Sequence, residues 1–125
     1  MPYLITCRYM PGGAERRLEI RDMHIEYILR HRVLITLAGA ILNNDGTAGG
    51  MFVALGVESA SEADAFIRDE PYNRAGLFET VSLDLLKQFI PHSNENFLNE
   101  ELERERIRLR TVAGSLHSRT GMEQG

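Results

Sequence analysis

An α+β domain with four strands and two helices is predicted from three observations in this chain of 125 residues. Tyr3, Ile5, Cys7 and Tyr9 alternate with Leu4, Thr6 and Arg8, which is the period of a strand. Asn43-Asn44-Asp45-Gly46 separates two runs of apolar residues and carries hairpin turn chemistry. Ser59-Ala60-Ser61-Glu62 has the spacing of a capping box and opens a helical period that must end before Pro71.

Taken in order, the first strand covers residues 3–9 and stops at Pro11-Gly12-Gly13. Over residues 14–32, Leu18, Ile25, Ile28 and Leu29 recur at spacings of three, four and seven, predicting one helix with these residues on its buried side. Residues 33–42 and 51–57 form the hairpin strands. Ala60, Ala63, Phe66 and Ile67 supply the buried side of the second helix, and residues 77–85 form the last strand, entered through Gly76. The order β-α-β-β-α-β is the ferredoxin-like arrangement, with both helices on one face of a four-stranded antiparallel sheet. A wet opposite face would show polar residues at every second position. In Met51-Phe52-Val53-Ala54-Leu55 both alternating sets are apolar instead, so a second copy of the chain is expected to cover that face, giving a homodimer through the sheets.

The domain is read as residues 1–91, followed by an extension over 92–125 with a helix at about 95–110. Acids dominate the first half of that helix, and Arg104, Arg106, Arg108 and Arg110 the second, as the helix dipole favours. Glu101 with Arg104 and Glu105 with Arg108 have supporting spacing, each pair contributing about 0.2 to 0.5 kcal/mol. Phe97, Leu98, Leu102 and Leu109 form a thin apolar stripe, read as the side of a solvated helix that clips onto a neighbouring subunit. Residues 114–125 lack periodicity and are expected to be mobile.

A net charge of −4 argues against nucleic-acid binding, which needs a basic surface to neutralise phosphates. Cys7 is the single cysteine, which removes intrachain disulfides and multi-cysteine zinc sites, and its strand position reads as a small buried residue. No apolar run approaches the roughly 18 residues of a membrane span, and the N-terminus lacks the pattern of a signal peptide. No membrane association and a cytoplasmic location are therefore expected.

Chemistry concentrates in two places. On a helical wheel Arg17, Arg21, His24 and His31 fall in one narrow sector of the first helix, beside apolar residues. Such a border suits a pocket in which guanidinium groups hold an anion and an imidazole moves protons near neutral pH. For the stripe alone, arginine stems covering apolar surface are the favoured reading. His24 and His31 stand two turns apart, about 10.5 Å in rise, too far to share one metal, and no cofactor is expected. The second place is Asp69-Glu70, directly before Pro71. A carboxylate is mildly unfavourable at a helix C-terminus unless a cation is near, and the basic stripe on the same sheet face offers one. A carboxylate bonded to one imidazole nitrogen fixes the tautomer and makes the other nitrogen a better base. Gly12-Gly13 is a weak phosphate-loop signal and reads as a turn. His92 and His117 receive no role.

Arg17, Arg21-Asp22-Met23-His24-Ile25, Gly39, the Ser59-x-x-Glu62-Ala63 opening and Glu70-Pro71-Tyr72-x-x-Ala75-Gly76-Leu77-Phe78-Glu79 together resemble the YCII (YciI-like) family over residues 3–89. The resemblance implies a dimeric α/β-barrel of ferredoxin-like subunits and an active-site pair of histidine and acid, carried here by His24 and Glu70. The family usually has aspartate before the proline, whereas this chain has Glu70 there with Asp69 one position earlier, so the sequence leaves open which carboxylate faces His24. Asp22 stands where the family often has proline. A few members are linked to dehydrochlorination of chlorinated aromatics.

The resulting expectation is a small cofactor-free enzyme, an isomerase or dehydrochlorinase-like lyase, acting on an anionic cyclic metabolite. His24, with Glu70 or Asp69, carries the acid–base chemistry, and Arg17, Arg21 and Tyr72 bind the substrate. The alternative is a non-catalytic module that binds a small ligand or serves an interaction role.

Overall fold

The protein is described by a computed structural model over residues 1–115; the expected loose end, with His117, lies from residue 116 onward outside the described residues. The chain divides into two compact units, Met1–Gln88 and Phe89–Gly125.

The first unit is the expected α+β domain. Strand β1 (Tyr3–Tyr9) leads into a short helix α1 (Gly13–Arg16), a 3₁₀ turn (Arg17–Glu19) and helix α2 (Arg21–Arg30). A second 3₁₀ turn (Arg32–Leu34) delivers β2 (Ile35–Leu42), which is followed by β3 (Ala48–Leu55), α3 (Ala60–Arg68), α4 (Pro71–Arg74) and β4 (Phe78–Leu85). The strands lie in the order β2-β3-β1-β4, all neighbours antiparallel, which is the ferredoxin-like order. The hairpin closes at Gly46 with φ 88°, and Asp45 accepts hydrogen bonds from the Thr47 amide and hydroxyl at 3.0 and 2.6 Å. Gly76, with φ 73°, makes the left-handed turn into β4.

Register decides which side chains meet. Ile5 pairs with Val53 and Cys7 with Met51, and these residues form the core face beneath Ala63, Phe66 and Ile67 of α3. Ile5, Leu55 and Leu77 are fully buried, each worth about 1.5 to 3 kcal/mol relative to exposure. On the other face Gly39 lies opposite Phe52, and a Cβ at Gly39 would meet the phenyl ring at 2.9 Å. Glycine there makes room for an aromatic ring that points away from the helices.

Two expectations are corrected. The helix over 14–32 is not continuous: Ile20 has φ −130° and ψ 20°, and no side chain caps the start of α2. The break lets Ile20 turn toward the core beside Tyr27 and Ile28, while Leu18, Ile25 and Leu29 remain exposed. Tertiary packing overrides the periodicity here, since no proline or glycine marks the break. The second correction concerns residues 71–74. Pro71 ends the preceding helical run and also starts α4 as its first residue, where its missing N–H costs nothing.

The caps of α3 and α4 show how short helices are held. Ser59 Oγ accepts the Glu62 amide at 3.2 Å, and Glu62 Oε1 reaches back to the Glu58 amide at 3.1 Å. Glu70 caps α4, with Oε1 accepting from the Tyr72 and Asn73 amides at 2.9 and 3.2 Å. Asp69 still has helical backbone as the last residue of the α3 turn.

The second unit contains α5 (Phe97–Ser115), five residues longer at its C-terminal end than expected, and it takes in Gly114 and Ser115. Arg104 bonds Glu101 and Arg108 bonds Glu105, both at 2.6 Å. Phe97 stacks on Phe89 and on His92. Leu98, Leu102 and Leu109 are exposed.

The acid that caps α4 is separable from its neighbour by stability. Glu70→Ala should lower unfolding free energy by at least about 1 to 2 kcal/mol through loss of the cap, whereas Asp69→Ala should stay within about 0.5 kcal/mol of the parent. Urea midpoints of the two variants check this.

Candidate active site

The residue before a proline is pushed out of α geometry, and Glu70 accordingly takes φ −67° and ψ 132°. That turn folds its carboxyl group back under α4. One oxygen takes the two amides of the cap, and the other is left for a partner from α2. His24, in the first turn and a half of α2, supplies it: Nδ1 lies 2.5 Å from Glu70 Oε2. Glu70 is 0% exposed and is the one buried charged residue among the described residues. A buried carboxylate is costly unless its lone pairs are satisfied, and three donors satisfy this one. With Glu70 acting as acceptor throughout, the proton of the shared bond belongs on Nδ1 and the lone pair on Nε2.

The imidazole is held from a second direction by Tyr72, whose ring stacks on it at 4.1 Å and 7°. His24 keeps a side-chain exposure of 17%, through a cleft of about 330 Å³ between α2 and the β2–β3 hairpin. Arg17, Arg21 and Ile25 wall the helical side, while Ala38, Gly39, Ala40 and Gly50 keep the sheet side low. The two guanidinium groups outnumber the one carboxylate, so the cleft favours an anion.

Arg17 is tied into the site, standing 5.9 Å over the Tyr9 ring. Burial raises the Tyr72 phenol above its ordinary value, with Arg17 and Arg21 opposing it and Glu70 adding to it. Burial, reinforced by the Glu70 charge, pushes the Cys7 thiol up to about 12. Cys7 is therefore a core thiol and not a nucleophile.

The expected site residues divide. Arg17, Arg21, His24 and Tyr72 line one cleft, with Glu70 behind His24. Tyr72, expected to bind substrate, is 2% exposed, and its ring stacks on His24 at the cleft wall. Asp69 is elsewhere, lining a separate depression with Tyr27, Arg30, His31 and Arg74. The carboxylate that meets His24 is Glu70, because proline turns residue 70 inward while residue 69 keeps the helical course. His31 also leaves the stripe. It lies beyond the end of α2 with φ −105°, donates from Nδ1 to the Tyr27 carbonyl at 2.8 Å, and packs on Tyr27 and Phe66. Tyr9, given no role by sequence, lines the cleft beside Arg17. Its strand alternation continues the row of Ile5 and Cys7 to the last position before the turn, which is the signal that could have found it. Among the described residues no group of three or more His, Cys, Asp or Glu side chains is placed to hold a metal, and no helix is long and apolar enough to cross a membrane.

Among solved structures the chain is similar to TftG, the 5-chloro-2-hydroxyhydroquinone dehydrochlorinase of Burkholderia phenoliruptrix, in complex with 2,5-dihydroxybenzoquinone. The TM-score is 0.65 at 26% identity, covering 71% of this chain and 96% of that one. It is also 34% identical over 83 residues to the ABC transporter G family member 2 of Dictyostelium discoideum, a match over 62% of this chain and only 6% of that much longer protein. The family model of the YCII-related domain matches residues 1–87, a span that takes in the whole sheet, both capped helices and the cleft. On that match the chain belongs to the YCII-related domain family.

Proposed function

We propose that this protein is a small enzyme that removes HX from an anionic, hydroxylated cyclic compound by proton transfer at His24. The observation that carries the proposal is the His24 Nδ1 to Glu70 Oε2 contact of 2.5 Å, made by a fully buried carboxylate behind a cleft that holds Arg21. Nε2 takes a proton from a C–H or O–H of the substrate, and the released electron pair forms a C=C or C=O bond. The X group leaves as an anion with the pair from the bond that breaks, and the imidazolium passes its proton to solvent. Without a leaving group, returning the proton to another ring position gives an isomerisation by the same machinery. Arg21, with Arg17 beside it, stabilises the charge that builds on the substrate. Glu70 orients His24 and stabilises its charged form. The chemistry requires a base, an acid and charge stabilisation, and no cofactor. The likeness to a dehydrochlorinase at 26% identity supports the reaction class.

The same reading includes a homodimer formed through the sheets. Leu37 and Ile41 of β2 and Phe52 of β3 lie on the face away from the helices, and Leu37 is 44% exposed. Sheet-on-sheet packing of two copies would remove these side chains from water. The exposed stripe of α5, Leu98, Leu102 and Leu109, is proposed to rest on a neighbouring subunit.

Two outcomes are expected. The protein should release chloride from 5-chloro-2-hydroxyhydroquinone in a chloride-electrode assay, and His24→Ala should lower the rate by roughly 10²- to 10⁴-fold. Equal rates in the two proteins, or binding of the compound without chloride release, would contradict an enzymatic role and leave a ligand-binding module. Light scattering at micromolar concentration should give twice the chain mass of 14.1 kDa, and Phe52→Glu should shift it toward the monomer; a monomeric parent protein sinks the sheet-to-sheet dimer.

A further inference from the structure

The three tyrosines around α2 and its cleft differ in what their hydroxyls do. Tyr27 donates to the Phe66 carbonyl at 2.7 Å. The Tyr72 ring stacks on His24, and the charges of Arg17 and Arg21 act on its phenol. The Tyr9 hydroxyl has no hydrogen-bond partner among the described residues, although its ring is held on three sides. It stacks on Phe78 at 5.5 Å, meets the Tyr72 ring edge-on at 6.2 Å, and lies 5.9 Å beneath the Arg17 guanidinium.

The backbone shows how the ring is aimed. Ile5 and Cys7, four and two positions earlier on the same strand face, are sealed in the core at 0% exposure. Between Arg8 and Tyr9 the register with β4 shifts by one residue, so Tyr9 pairs with Phe78. Such bulges twist a strand and re-aim the side chain that follows. Here the last residue of the row reaches the cleft wall while its ring still packs against the core. Tyr72 then stands between Tyr9 and His24, stacked on the imidazole and edge-on to the phenol. His24 and Tyr9 line the same cleft, each in contact with the Tyr72 ring.

We infer that Tyr9 is a further catalytic residue of this site, whose hydroxyl donates a hydrogen bond to the substrate oxygen on which negative charge builds as His24 takes the proton. The inference rests on the function proposed above and adds to it the group that receives the developing oxyanion. Arg17 stands over the Tyr9 ring, and the guanidinium and the phenol line the cleft together. A fixed neutral donor beside a guanidinium is the arrangement that stabilises an oxyanion without reorganising during the reaction. The phenol is kept in its donor form: burial, with Tyr72, Glu70 and Cys7 adding and Arg17 opposing, pushes it up to about 12. At neutral pH it therefore donates and does not compete with His24 as a base. The substrate class narrows accordingly, to cyclic compounds that carry an oxygen able to become an enolate or phenolate next to the carbon that loses X.

The test uses the full chain and 2,5-dihydroxybenzoquinone as probe, an anion at neutral pH that resembles the product side of such an elimination. Tyr9→Phe keeps the ring and its stacking, and is expected to bind the probe roughly 10- to 100-fold more weakly with an unchanged melting temperature. His24→Ala and Arg21→Ala serve as separate markers of the site. If Tyr9→Phe binds as tightly as the parent while Arg21→Ala weakens binding, Tyr9 is not part of the site and the function proposed above stands. If the parent does not bind the probe, or if none of the three variants changes affinity, that function and this inference fall together. Replacing Tyr9 with 3-fluorotyrosine provides a second measurement that does not depend on the folding of the phenylalanine variant. A more acidic phenol is a stronger donor and should tighten binding; an unchanged or weaker affinity overturns the role.

Discussion

A single carboxyl group joins two otherwise separate requirements of this fold. Glu70 must cap α4, whose first amides would be orphaned beside the core, and it must balance the imidazole of α2. One oxygen does each job. Neither half would be stable alone: a buried carboxylate without donors is heavily penalised, and so is a short helix buried without a cap. Coupling them places a histidine from one helix and the start of another in one fixed geometry, with the core of the sheet behind them.

Much of the site's organisation follows from that placement. Because Pro71 forces the turn at Glu70, Tyr72 comes next in the chain and its ring lands against the imidazole. Tyr72 then braces Tyr9, over whose ring Arg17 stands, so the chain of contacts runs from a local backbone restriction to the cleft wall. The small residues Ala38, Gly39, Ala40 and Gly50 leave space on the sheet side, and Gly39 also admits Phe52 on the reverse face. Thus the same short stretch of β2 serves the cleft on one face and supplies the apolar surface proposed for pairing on the other.

The parts legible in the sequence are those governed by local chemistry. The strand period of β1, the Asn-Asn-Asp-Gly turn, the Ser59 cap and the glycine entry to β4 each need only a few neighbouring residues, and the fold order follows from them. The resemblance added His24 and Glu70 as a pair, and the 2.5 Å contact joins those two residues. What was not legible depends on tertiary packing. The break at Ile20 carries no proline, glycine or cap, because burial of Ile20 beside Tyr27 decides it. The choice between Asp69 and Glu70 turns on a cap whose helix is four residues long, too short for periodicity to reveal. His31 fell on the helical wheel with Arg17, Arg21 and His24 only because a continuous helix was assumed. Tyr9 read as one more alternating residue, since a register shift against β4 is invisible until the strands are paired.

The central claim is that Glu70 fixes the tautomer of His24, so that in the neutral ring the proton sits on Nδ1 and the lone pair on Nε2. Long-range proton–nitrogen correlation spectra of the ¹⁵N-labelled parent protein observe this directly. The geometry requires an N–H type shift at His24 Nδ1 and a bare-nitrogen shift at Nε2, with the assignment exchanged in Glu70→Gln, whose amide would donate to Nδ1. A proton on Nε2 in the parent protein, or the same tautomer in both proteins, would contradict it.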